Sequence, residues 1–264
     1  MLKRISVLLF AGLFFYSCAT VPLSGRKQLS LVDNSEVLPM SFQQYNEVKG
    51  ESKVVTGTED GESVVRVGKR IASAVERYLN DNGHGEILNG FEWEFNLIQD
   101  DQVNAWCMPG GKVAFYTGIM PVCQDEAGIA VVMGHEVAHA IASHARERMS
   151  QGMVANGLLG GVQAAMGQNP TLTESIFMQA VGMGSQVGML KFSRDQELEA
   201  DQLGLIFMAM AGYDPRVAPE FWQRMEAKSS GEAPPEFLST HPGPNRRIDE
   251  LNNQMPEALK YYKN

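Results

Sequence analysis

The chain has 264 residues, 44% of them hydrophobic, with 22 Lys and Arg against 31 Asp and Glu and a formal net charge of −9. That length and apolar share suit one domain with a sizeable core. The acidic balance speaks against a nucleic-acid partner and against charge-driven binding to anionic lipid, and three cysteines are too few for a disulfide scaffold.

The N-terminus reads as a targeting segment. Met1-Leu2-Lys3-Arg4 is basic, and residues 5–16 form an apolar run too short to cross a bilayer comfortably, the pattern of a secretory signal peptide. It ends at Ser17-Cys18-Ala19, which resembles a bacterial lipoprotein cleavage site at which Cys18 becomes the lipidated first residue. Phe15 and Tyr16 are bulkier than that site prefers, so an ordinary cleavage nearby is the alternative. Multiple acyl chains would anchor the protein durably, where one chain would not. The chain then divides into a leader over 1–17, a lipidated tether over 18–31 broken by Pro22, Ser24 and Gly25, and one domain over 32–264. Loss of Lys3 and Arg4 with the leader leaves the remainder more acidic still. Cys107 and Cys123 either form one disulfide or are two separate buried thiols.

Within the domain, Asn34 or Ser35 caps a helix running to about residue 48, and 50–61 is polar loop. Val64, Val67, Ile71, Ala74, Val75 and Tyr78 recur at three-and-four spacing and predict an amphipathic helix over 62–79. Strict alternation over 91–97 predicts a half-buried strand. Pro109-Gly110-Gly111 separates two β-rich runs and predicts a turn between strands. The strand at Asn104-Ala105 is either an exposed edge, to which an extended peptide adds through main-chain hydrogen bonds, or an interior strand. Residues 151–187, rich in Gly, Met and Ala, form either two packed helices or a mobile cover over the site. Gln151, Asn156 and Gln163 argue against a membrane span there. Asp214-Pro215 is a cap and first position for a helix to about residue 225, 229–235 is loop, and a last helix carries Arg246 and Arg247.

The chemistry concentrates in residues 125–148. From 127 to 142 the sequence is apolar on every helical face except for His135, Glu136 and His139. A helix apolar all round lies in the middle of a domain, and polar groups buried there need partners. His135 and His139 are one turn apart on one face, so their imidazoles can share one metal ion, and His-Glu-x-x-His is the zinc-peptidase helix.

A third ligand comes from the helix opening at Ser193, which forms a capping box with Gln196. Two carboxylate pairs sit four apart on it. Glu197 and Asp201 continue into Gly204, Leu205 and Met208, an inward face, whereas Asp195 and Glu199 continue into Gln202, mostly outward. The inward pair needs a compensating charge, so Glu197 completes three protein ligands. Asp201 then accepts a hydrogen bond from the second nitrogen of a liganding histidine. An ion held by His135, His139 and Glu197 keeps a position open for water, and Glu136 is placed to act as general base. His241 either lies at the surface, closes the site as a fourth ligand, or stabilises an oxyanion, a role also open to Arg247. His84 and His144 are the weaker ligand candidates, His144 because it is five residues past His139 and turned from its face.

His135-Glu136-x-x-His139 followed by Glu197-x-x-Ala200-Asp201 resembles metallopeptidase family forty-eight, the HtpX- and BepA-like group related to the CAAX prenyl endopeptidases. Asn104-Ala105 with Pro109-Gly110-Gly111, and Thr240-His241-Pro242 with Arg247-Ile248, match it too, so the likeness covers roughly 91–251. With the lipoprotein-like start, the chain is most similar to the bacterial lipoprotein or periplasmic members. The resemblance implies a mainly helical α+β gluzincin-type domain with a small sheet, one zinc ion per chain, and endopeptidase activity. With the leader, it points to unfolded or envelope proteins as substrates and to a periplasm-facing outer-membrane lipoprotein with no nucleic-acid partner. The alternative of another class is a chaperone-like assembly factor of the envelope with little proteolysis.

Overall fold

The computed structural model describes residues 18–155, 170–182, 193–229, 235–241 and 247–263. A two-stranded antiparallel hairpin, β1 (Cys18–Thr20) and β2 (Lys27–Leu29), opens it. Helices α1 (Asn34–Glu51) and α2 (Glu59–Asp81) follow. Next come strands β3 (Glu94–Ile98), β4 (Ala105–Met108) and β5 (Lys112–Tyr116). The remainder is helical: α3 (Met120–Cys123), α4 (Glu126–Ile141), α5 (His144–Ala155), α6 (Pro170–Ala180), α7 (Arg194–Met210), α8 (Ala218–Ser229), α9 (Glu236–Thr240) and α10 (Arg247–Ala258). This is the mainly helical α+β domain with a small sheet that the resemblance implies.

The local chemistry explains most boundaries. Asp33, one residue before the expected caps, starts α1 through a capping box with Glu36. Thr58 caps α2 at the Gly61 N–H, and Val64, Val67, Ile71, Ala74 and Val75 form its buried stripe. The sheet order is β3-β5-β4, with β3 parallel and β4 antiparallel to β5. The turn joining β4 to β5 needs left-handed backbone at Gly110 and Gly111, both at φ 84°, where a side chain would be strained. With β5 in the middle, β4 lies at the edge of the sheet.

Helix α4 is capped by Asp125, which accepts from the Gly128 N–H at 2.9 Å, and it is buried on all faces as its composition predicts. α7 crosses it with backbone against backbone. A Cβ on Gly134 would lie 2.7 Å from the Gly204 carbonyl oxygen, and one on Gly204 would lie 2.9 Å from the His135 nitrogen. Two glycines therefore let the two ligand-bearing helices approach closely.

The structure bears on three expectations. Parts of the stretch over 18–31 pack on the domain: Val21 is 2% exposed within the main core, and the Leu31 N–H donates to Ser150 Oγ at 2.9 Å. Of the two readings of Cys107 and Cys123, the structure has the separate thiols. The helix expected from Pro215 starts as a single 3-10 turn, Pro215–Val217, capped by Asp214, before α8 continues to Ser229. Of the Met-rich segment, α5 and α6 pack together through Met149, Met153, Ile176 and Phe177, while any covering role of 156–169 and 183–192 lies outside the described residues, as do the leader and the 230–234 part of the expected loop. No described helix is long and apolar enough to cross a membrane.

The glycine contact generates a test. Gly204→Ala is expected to cost about 1–3 kcal/mol by forcing the backbones of α4 and α7 apart, read as a lower thermal midpoint. A midpoint equal to wild type would contradict the close approach.

Candidate active site

His135 and His139 project from α4 toward Glu197 on α7, and His241 reaches the same point from the end of α9. All four are buried, and one donor atom from each lies within 4.8 Å of the others. His135 Nε2 is 3.1 Å from His139 Nε2 and 3.3 Å from His241 Nδ1. Glu197 oxygens lie 3.5 Å from His135 Nε2, 3.4 Å from His139 Nε2 and 3.1 Å from His241 Nδ1. Nitrogen and oxygen ligands about 2.0–2.2 Å from a tetrahedral zinc stand roughly 3.3–3.6 Å from one another. The donor set therefore fits zinc in size and chemistry.

The electrostatics agree. Burial alone would protonate Glu197, yet His241, His139 and His135 hold its carboxyl well below the usual range. Burial drives His139 well below the usual imidazole range, which favours the neutral form a metal requires. Asp201 Oδ1 is 2.9 Å from His135 Nδ1, so it accepts that N–H and leaves Nε2 bare toward the cluster. Burial raises the Glu136 carboxyl above its ordinary range. Its Oε1 is buried without a hydrogen bond, 3.5 Å from His241 Nε2.

These groups open onto a cleft of about 310 Å³, lined by Asn104, Ala105, Cys107, Glu136, His139 and His241 among others. β4 forms one wall. The Tyr116 N–H donates to the Asn104 carbonyl at 3.1 Å, so by alternation the main-chain groups of Ala105 and Cys107 point away from β5 along the open edge. Asn104 Oδ1 caps the Ala105 N–H at 2.9 Å. Asn104 and Ala105 thus lie beside the cluster, on the edge strand the sequence left open as one of two readings.

Arg247 does not lie in the cleft. Its Nε donates to Asp201 Oδ2 at 2.7 Å and its Nη2 to Glu197 Oε2 at 2.6 Å, and the guanidinium lies 3.7 Å from the Trp222 ring centroid. With its charge turned to the back of two carboxylates, it is not placed to meet an oxyanion. His241 is not at the surface: it is 3% exposed, and Phe237 stacks on its ring at 4.6 Å and 19°. His84 sits apart from the cluster, beside Glu86.

Two residues that the helical wheel turned away are in fact part of the site's support. α4 ends at Ile141, and Ser143 adopts φ 59° before α5 begins at His144. That left-handed residue, a conformation costing about 1–2 kcal/mol outside glycine, breaks the helical phase and swings His144 back. His144 Nδ1 lies 2.7 Å from His139 Nδ1, and its Nε2 lies 2.7 Å from Glu199 Oε2. Glu199 is buried, not outward, because the N-terminal hairpin covers it with Arg26. A third histidine soon after the motif was the available trace of this arrangement; the pairing itself depends on a chain reversal.

A helix bearing His-Glu-x-x-His, a carboxylate from a second helix and an edge strand along the cleft define a metallopeptidase. The chain belongs to Peptidase family M48, whose model matches residues 66–255. It is 31% identical to "Mitochondrial metalloendopeptidase OMA1" of Schizosaccharomyces pombe over 247 residues, 93% of this chain and 68% of that protein. It is 38% identical to the protein of the same name from Arabidopsis thaliana over 180 residues, 67% of this chain and 35% of that protein. Similarity to the "Beta-barrel assembly-enhancing protease" of Escherichia coli is 30% over 169 residues, 61% of this chain and 34% of that protein. The chain thus spans about a third of the last two. Together these make it a metalloendopeptidase, acting on protein.

Arg247→Met should cost the metal-free protein about 3–5 kcal/mol by stranding Glu197 and Asp201 as buried charges, seen as a lower denaturant midpoint. An unchanged midpoint would remove Arg247 from that role.

Proposed function

We propose that this protein is a zinc-dependent endopeptidase of the cell envelope that hydrolyses unfolded or misfolded envelope proteins. The observation that carries the reading is the buried donor set of His135, His139, Glu197 and His241 with the Glu136 carboxylate beside it at the edge strand. Zinc, when bound, supplies Lewis acidity that polarises the scissile carbonyl and lowers the pKa of water toward about 7. Glu136 takes the proton from the attacking water and delivers it to the leaving amine. An extended substrate adds to the outward Ala105 carbonyl and the outward Cys107 main-chain groups, which suits unfolded chain better than a folded surface. Asp201 fixes the His135 tautomer, and Arg247 holds the Asp201 and Glu197 carboxylates in orientation from behind.

The envelope setting is supported by the leader-like start ending at Cys18 and by the bacterial relative; the OMA1 proteins are mitochondrial by name. On this reading Cys18 carries the lipid of a periplasm-facing outer-membrane protein. The docked hairpin then holds the domain close behind its anchor.

One observation favours a second reading. His241 Nδ1 lies 3.3 Å from His135 Nε2 and 3.1 Å from Glu197 Oε1, so it would hold a bound zinc as a fourth protein ligand, and a protein with its imidazole in place would have little room for water and would act on its clients mainly by binding them. Proteolysis then requires His241 to withdraw.

The decisive comparison is Glu136→Gln against wild type on an unfolded protein such as reduced casein. The variant should keep its zinc and lose cleavage; undiminished proteolysis by it would sink the mechanism. His241→Ala should raise the cleavage rate by opening the fourth position, whereas a large loss would assign His241 to transition-state stabilisation instead.

A further inference from the structure

The two histidines on α4 are held from different parts of the molecule. His135 meets Asp201 directly, with Arg247 behind it. His139 is held by a longer chain of contacts that ends on the N-terminal hairpin, far from the cleft in sequence. Arg26, just before β2, donates from Nε to Glu199 Oε2 at 2.6 Å and pairs through Nη2 with Glu147 Oε2 at 2.9 Å. The Ser24 hydroxyl also donates to Glu199. Glu199 accepts from His144 Nε2, and His144 Nδ1 faces His139 Nδ1. Gln196 Nε2 donates to the same Glu147 oxygen at 2.7 Å, so the acidic side of the network is tied to the start of α7.

Proton placement in this chain has one solution compatible with metal binding. His139 must present a bare Nε2 to the cluster, so its proton is on Nδ1. Two ring nitrogens 2.7 Å apart need one proton between them, so His144 Nδ1 accepts and the His144 proton is on Nε2. That N–H requires an acceptor, which is the Glu199 carboxylate. A buried carboxylate in turn requires a countercharge, and Arg26 supplies it. Every link is set by the next, and the last one belongs to the hairpin.

We propose that Arg26 is a positioning residue of the metal site: through Glu199 and His144 it fixes the ring orientation and tautomer of His139, so that docking of the N-terminal hairpin and zinc affinity are coupled. The inference rests on the zinc reading above. It makes the hairpin between Cys18 and Leu29 a working part of the centre. By reciprocity, whatever displaces the hairpin loosens the metal, and the bound metal tightens the hairpin.

The test is zinc affinity of the purified full chain, measured by competition with a chromogenic chelator, with the melting temperature of the metal-free protein recorded alongside. Arg26→Met, which keeps the aliphatic stem, should weaken zinc binding by about tenfold or more, the range found when a ligand's supporting partner is removed. Arg26→Lys should recover much of it, and Lys27→Met, an exposed change on the same hairpin, should not alter it. His144→Gln should weaken binding to a similar degree, and the Arg26→Met/His144→Gln double variant should be no weaker than His144→Gln alone. Merely structural effects would multiply instead. If Arg26→Met does not fold, Glu199→Gln takes its place with the same expected loss. The proposal is overturned if wild type binds zinc and these variants match it within about twofold, or if the two losses multiply. A wild type that binds no zinc would overturn the zinc reading itself.

Discussion

A carboxylate with no solvent exposure sits at the centre of this protein, and the arrangement around it is what makes that burial tolerable. Glu197 faces three imidazoles on one side and the Arg247 guanidinium on the other. Removing a carboxylate from water costs several kcal/mol even after relaxation, so a charge there demands permanent partners or an ion. α4 supplies two of the imidazoles because its apolar surface places it in the core, and α7 brings Glu197 against it because Gly134 and Gly204 permit backbone contact. α9 and α10 close the cluster with His241 and Arg247. The core thus doubles as the mount for the site, and a packing change between α4 and α7 would act directly on the donor geometry.

The cleft then separates chemistry from recognition. His135, His139, Glu197 and Glu136 lie on helices, where burial holds their rotamers, whereas one wall of the cleft is the edge of a three-stranded sheet. An edge strand offers main-chain hydrogen bonds to any extended peptide, with little demand on its side chains. That division suits an endopeptidase whose clients share an unfolded state more than a sequence. His241 stands where the two parts meet, 3.1 Å from Glu197 on one nitrogen and 3.5 Å from Glu136 on the other. Its ring thus touches both the donor cluster and the carboxylate beside the cleft.

Much of this was legible in the residues. The apolar run carrying His135, Glu136 and His139 predicted both a buried helix and its chemistry, because polar groups in such a helix need a reason to be there. The four-residue spacing of Glu197 and Asp201 on an inward face pointed to the same centre. Where the reading failed, the cause was a feature that periodicity does not encode. The left-handed Ser143 ends the helical phase, so a wheel drawn through His144 turns it the wrong way. Glu199 looked solvent-facing on its own helix because the hairpin that covers it lies more than a hundred residues earlier. Arg247 looked like an oxyanion donor by its company in sequence, yet it lies behind the ligands.

What the sequence by itself determined is which groups meet: two histidines and a glutamate on one helix, a carboxylate on another, and a hairpin strand beside them. Helical spacing and the cost of burying charge are local rules, so they act within a single element. Which side of Glu197 each charge occupies, whether His241 enters the cluster, and how the N-terminal hairpin reaches His139 were decided only by the tertiary structure. Those are contacts between elements distant in sequence, and their geometry follows from how the helices pack.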